Sequence, residues 1–284
     1  IKRGIRAKLV QSLKDFKLNT RAEVKYFVKM ISVDNDTPTI PKEQWERAKE
    51  QTKAYFDRSE CLENVMNMIS AFEATCGNSI YRSDFESFVY ESKYEDFYSD
   101  DVGVVTVSTI HKAKGREFDN VYMLLSGADC STDERKRVLY VGMTRAKKAL
   151  YIHCNNGIFD GIDIEGMEHS SDNTTYPEPE EIVLQLGHRD VVLGDFKGKK
   201  PVVFSLQSGD KITLSNNALW TMYEGKLTKL ASLSKNAKTD VAELLTKGYS
   251  PQMAKVRFIV DWHEKDTDVS AAVVLADVYF RKCS

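Results

Sequence analysis

Two stretches of this 284-residue chain combine side chains that could handle phosphate. In Thr109-Ile-His-Lys-Ala-Lys-Gly-Arg-Glu-Phe118, a run of β-formers ends in a hydroxyl and an imidazole, and a glycine follows four residues after His111. His111 and Lys112 suit contacts to phosphate or sugar, and Glu117 suits a ribose hydroxyl. Gly115 would let the backbone come close to a phosphate, because no Cβ stands in the way. The segment is expected at the carboxyl end of a parallel strand, where α/β sheets bind ligands. A solvated basic loop between two core strands would account for the same residues equally well. The second stretch, 133–148, predicts a helix. At about 3.6 residues per turn, Leu139, Met143, Ala146 and Leu150 share an apolar face, and Arg137, Val141, Thr144 and Lys148 share another. Acids fill its first turn and lysines its last, as the helix dipole favours. An amphipathic helix with a solvated basic face explains all of this except Gly142, since a mid-helix glycine costs about 1 kcal/mol against alanine. Glycine there implies close approach by another backbone or a ligand. Arg145, beside that contact, could present a planar fork to a γ-phosphate.

The elements that must hold these residues alternate between strand and helix. Residues 5–12 read as a short strand. Helical spacing follows in Val24, Phe27, Val28 and Ile31, again in Leu62, Val65, Met66, Ile69 and Phe72, and once more around Phe85, Phe88, Val89 and Tyr94. Strands at 103–109, 121–125 and 149–153 flank the two chemical stretches and argue for a parallel α/β layer. From 155 to 181 the chain is acidic and carries no Lys or Arg, which reads as a linker. Beyond it, 191–193, 201–206, 211–214 and 226–230 read as short strands. A helix at about 237–247 and longer strands at 254–262 and 271–280 complete a small twisted sheet or barrel.

Together the two stretches resemble a known family. VTVSTIHKAKGREFDNVYML is similar to motif V of the UvrD/Rep/PcrA helicases of superfamily 1, and ERKRVLYVGMTRAKKALYI to their motif VI. The resemblance is close over roughly 100–154 and weaker over 1–30. It implies an α/β fold in which 1–154 is a second RecA-like parallel-sheet domain with a short helical insertion at about 30–98. An acidic linker at 155–185 and a small β-rich, barrel-like domain at 186–284 would follow. By the same resemblance, Thr109 and His111 match positions that touch the single-stranded DNA backbone, with Lys112 beside them. Gly115 approaches the γ-phosphate, Glu117 contacts the ribose, and Arg145 is the arginine finger. Arg137 and Tyr140 support the inter-domain cleft. Arg116 departs from the family, whose members usually carry an apolar residue there.

The resemblance implies ATP and Mg2+ as ligands, held only together with a first RecA-like domain of the same polypeptide, and single-stranded or duplex DNA as partner. No G-x-x-x-x-G-K-[ST] loop occurs in the chain. The chain alone is therefore expected neither to bind ATP tightly nor to hydrolyse it. A chain beginning on Ile1 is expected to be part of something longer. Its C-terminal region is also similar to that of large bacterial proteins joining a RecQ-like helicase to a UvrD-like part. There, Arg189, Lys197, Lys199 and Lys200 with Phe196, Phe204, Trp220 and Tyr223 could form a binding platform or could simply be core and solvated surface. Two other readings remain: a helicase–nuclease subunit of the AddA/RecB kind, and a non-catalytic adaptor that only binds DNA or a protein. A net charge of −2 gives no global reason to expect a polyanion. Five scattered cysteines without a CxxC pair argue against zinc and disulfides and fit a reducing cytoplasm. No run is long and apolar enough to span a membrane.

Overall fold

A computed structural model describes residues 7–10, 17–32, 37–77, 79–97, 104–263 and 270–283. In chain order these form β1 (Ala7–Val10), α1 (Ala22–Ile31), β2 (Thr39–Ile40), α2 (Lys42–Tyr55), α3 (Leu62–Glu73), β3 (Ile80–Tyr81) and α4 (Arg82–Glu91). There follow β4 (Val105–Ser108), β5 (Phe118–Leu125), α5 (Asp133–Met143), β6 (Ala146–Cys154), β7 (Glu181–Gln185) and α6 (Lys200–Phe204). The chain ends with β8 (Lys211–Ser215), β9 (Ala218–Tyr223), β10 (Lys226–Ser232), α7 (Lys235–Thr246), β11 (Tyr249–His263) and β12 (Ser270–Lys282). Residues 5, 6, 11 and 12 of the expected first strand lie outside the described residues, as does Gly103 of the expected strand at 103–109.

The chain forms two compact units, Ile1–Ser12 with Asp100–Tyr176, and Leu13–Ser99 with Pro177–Ser284. The first contains two parallel strand pairs. β1 pairs with β4 from Ala7↔Val105 to Val10↔Ser108, and β5 pairs with β6 from Phe118↔Ala146 to Leu125↔Cys154. α5 connects β5 to β6 and covers one of their faces, where Leu139 and Met123 are buried. Residues between 155 and 180 form no strand or helix.

In the second unit the four helices α1–α4 surround an aromatic centre. Trp45 is 1% exposed and meets Phe27 and Phe85 edge-on, with ring centroids at 5.0 and 5.1 Å. Val24, Phe27 and Ile31 bury one stripe of α1, and Val65, Met68, Ile69 and Phe72 bury one stripe of α3. The β-rich region forms one antiparallel sheet in the order β10-β9-β8-β11-β12-β7. Ala22, Phe56 and Cys61 of the helical segment lie in the same core as Val256, Phe258 and Val274 of that sheet. Arg21 joins the two layers, its guanidinium 3.9 Å from the Tyr94 ring centre and 3.3 Å from that of Phe258.

Several expectations need correction. The helical segment and the β-rich region were expected in different domains, yet they share one core through Ala22, Phe56 and Cys61. The sheet is open rather than barrel-like, with β10 and β7 at its edges. The linker expected at 155–185 stops short of Glu181, because Ile182 and Leu184 pack on the core as β7 pairs with β12. The strand expected at 191–193 shrinks to a single antiparallel bridge, Val191↔Leu233, ahead of a helical turn that begins at Leu193, and the strand expected at 201–206 is the short helix α6 instead. Pro201 sits in the first turn of α6, where its missing N–H costs nothing. β9 was not anticipated. It is set by two tight hairpins whose loop residues, Asn216–Asn217 and Glu224–Gly225, all have positive φ, as such turns require. Lastly, the helix expected over 133–148 ends at Met143, and Arg145 lies beyond it.

Candidate functional site

β4 delivers the chain to Thr109, which precedes a single helical turn at Ile110–Ala113. The Thr109 carbonyl accepts from the amides of Lys112 and Ala113 at 3.0 and 3.1 Å, so its hydroxyl and the His111 ring stay on an exposed corner. Lys112 is half-buried. The chain then turns at Gly115, whose φ of +84° favours glycine and whose missing Cβ would meet no atom within 4 Å. Open space therefore lies on the side where a Cβ would stand. Three residues later β5 begins.

α5 opens with a cap, the Thr132 hydroxyl accepting from the Arg135 amide at 3.3 Å. It closes where the Thr144 amide donates to the Tyr140 carbonyl at 3.0 Å and the Arg145 amide to the Gly142 carbonyl at 3.2 Å. From that point pairing with β5 takes over the backbone groups, since the Phe118 amide donates to the Arg145 carbonyl at 2.8 Å. This crossing brings Gly115, Arg116 and Glu117 beside Arg145. Both groups stand at the amino ends of β5 and β6, not at the carboxyl ends expected from the general rule for α/β sheets. Only Thr109, His111 and Lys112 follow a carboxyl end, that of β4.

The Arg145 guanidinium makes three hydrogen bonds. Nε donates to the Val141 carbonyl at 2.9 Å, Nη1 to the Arg116 carbonyl at 3.1 Å, and Nη2 to the Thr144 hydroxyl at 3.0 Å. Glu117 is exposed and faces Lys147 at 3.4 Å, and Asp119 faces Lys148 at 2.6 Å. The hydrogen bond from Lys148 and its charge hold the Asp119 carboxyl below its ordinary value. Arg137 and Tyr140 are exposed on α5.

The close approach inferred at Gly142 is made within the protein by side chains rather than by a backbone. A Cβ there would lie 2.7 Å from Met123 Cε and 3.2 Å from Ile110 Cδ1. Glycine thus lets α5 settle on β5 and on the turn that carries His111. The sequence reading missed Thr144 and the Arg116 carbonyl as partners of Arg145. Only the place where α5 stops, one residue after Gly142, reveals them.

Residues 6–157 match the family described as the UvrD-like helicase C-terminal domain. The chain is 35% identical over 121 residues to a DNA helicase II of Rickettsia typhi, a match covering 37% of this chain and 17% of that protein. It is 38% identical over 66 residues to a putative ATP-dependent DNA helicase, YjcD, of Bacillus subtilis, covering 18% and 9%. It is 41% identical over 58 residues to the RecBCD enzyme subunit RecB of Chlamydia pneumoniae, covering 19% and 6%. The matched part thus spans about one-sixth of the first of these relatives. No solved structure matches the chain at a significant level.

Proposed function

The chain belongs to the UvrD-like helicase C-terminal domain family, and on that premise we propose that it supplies one wall of the ATP cleft of a DNA helicase. The other wall would be a first RecA-like domain of the same polypeptide, which would carry the phosphate-binding loop and Mg2+. Among the described residues no group of three or more His, Cys, Asp or Glu could hold a metal.

The observation that carries this reading is the cluster at the start of β5 and β6. A guanidinium has five N–H donors, and three of those on Arg145 are occupied. One hydrogen remains on each terminal nitrogen, which is a fork for two oxygens of a phosphoryl group. Arg145 would stabilise the charge that spreads over those oxygens as the terminal phosphoryl transfers to water. Gly115 leaves open space beside its backbone for the same anion, and Glu117 reaches a ribose hydroxyl after releasing Lys147. Thr109, His111 and Lys112, on the exposed corner after β4, would contact the sugar–phosphate track of single-stranded DNA. Hydrolysis at one end of this loop and DNA contact at the other would be coupled through Ile110, which Gly142 lets sit against α5.

The test is Arg145→Ala in the full-length protein. The expected outcome is a loss of DNA-stimulated ATP turnover of roughly a thousandfold or more, with single-stranded DNA affinity little changed. Unchanged turnover would exclude the finger role. Lost DNA affinity with turnover intact would assign Arg145 to the DNA track and exclude the finger role.

A further inference from the structure

The bracket around Arg145 is made by a residue with no role in the cleft so far. The Thr144 hydroxyl donates to the Val141 carbonyl at 3.1 Å and accepts from Arg145 Nη2 at 3.0 Å. The same Val141 carbonyl accepts from Arg145 Nε at 2.9 Å, so one oxygen anchors both side chains. On the opposite edge of the guanidinium, Nη1 is held by the Arg116 carbonyl at 3.1 Å. A long flexible arginine is thereby fixed at three of its five donors, just beyond the end of α5. Because a backbone carbonyl makes the Arg116 contact, the side chain at 116 is not what holds Arg145 there.

We propose that Thr144 is a positioning residue that aims the free edge of the Arg145 guanidinium, its hydroxyl bridging the Val141 carbonyl near the end of α5 to the planar fork. This rests on the reading of Arg145 as the phosphate-directed group. A hydroxyl is needed because the position must donate to Val141 and accept from Arg145 at once, which valine, of the same shape, cannot do. Fixing the fork before the phosphoryl group arrives lowers the cost of reaching the transition state and leaves ground-state nucleotide binding nearly unchanged.

The experiment compares Thr144→Val, Thr144→Ser and Arg145→Ala in the full-length protein. The readouts are kcat and KM for ATP under saturating single-stranded DNA, oligonucleotide affinity by fluorescence anisotropy, and thermal melting. Thr144→Val is expected to lower kcat about tenfold, with KM, DNA affinity and melting temperature unchanged, and Thr144→Ser to restore most of the rate. If Arg145→Ala abolishes turnover while Thr144→Val keeps the wild-type kcat, the positioning role is wrong and the finger role stands. If Ser fails as badly as Val, or both lower the melting temperature together, Thr144 is only structural and the proposal is overturned. If Arg145→Ala itself leaves turnover intact, the underlying reading fails, and the role of Thr144 fails with it.

Discussion

The two compact units bury apolar surface very differently. In the unit of Leu13–Ser99 with Pro177–Ser284, two extended cores hold large side chains such as Trp45, Phe27, Phe85, Phe196 and Phe280 at 0–1% exposure. In the unit that carries Gly115, Glu117 and Arg145, only Met123 and Leu139 are buried among the described apolar side chains. There Tyr122 and Tyr151 stack on each other with centroids 4.5 Å apart while 64% and 45% exposed, and Leu124 beside them is 80% exposed. Parallel strands are ordinarily covered on both faces. Here α5 covers one face and the other stays open. The contrast teaches that the helical and β-rich unit is ordered by its own packing. The chemistry-bearing unit is ordered by hydrogen bonds around a few turns and, on our proposal, by the rest of a helicase.

That contrast can be broken most forcefully at Trp45. Trp45→Ala removes the centre of an aromatic cluster and should lower stability by about 3–5 kcal/mol. Hydrogen exchange should rise across α1–α4 but not in β5 and β6, and an equal rise in both would mean the units are not independently ordered. A smaller effect is expected at Gly142. Gly142→Leu would collide with Met123 and Ile110, costing about 1–3 kcal/mol, with exchange rising at 110–125 and the helices unaffected. Protection unchanged at 110–125 would show that α5 does not hold the turn.

The smallest effect sharpens the account of the helical core. Burial pushes the Glu73 carboxyl up, but hydrogen bonds from Lys49 at 2.8 Å and Trp45 Nε1 at 2.6 Å outweigh it and leave its pKa below the ordinary glutamate value. A depressed folded-state pKa contributes stability that is fully present above the unfolded value and is lost as pH falls through the folded one. Glu73→Gln should therefore cost on the order of 1 kcal/mol at neutral pH. The difference from wild type should shrink as pH falls below the ordinary glutamate range and vanish only once it passes the lowered folded-state pKa, where both side chains are neutral. A difference that persisted in acid would assign the effect to shape rather than charge.

The sequence by itself determined the family, and with it the two segments that matter. A glycine-bearing turn after a strand, and a basic amphipathic stretch that carries Arg145, are local chemistry written in consecutive residues. The amphipathic stripes of α1 and α3 were legible for the same reason, since helical periodicity is also local. The tertiary structure alone decided where α5 stops, and so that Arg145 hangs from Val141, Thr144 and Arg116 rather than from the face of a longer helix. Pairing with β5 makes that decision, and Phe118 lies far from Arg145 in sequence. It also decided that the helices before Ser99 share a core with the sheet after Pro177, which no window of sequence can register. The hairpin at Asn216–Asn217 lay between these extremes. Its two residues with positive φ were visible as types, but only the paired strands on either side made them a turn.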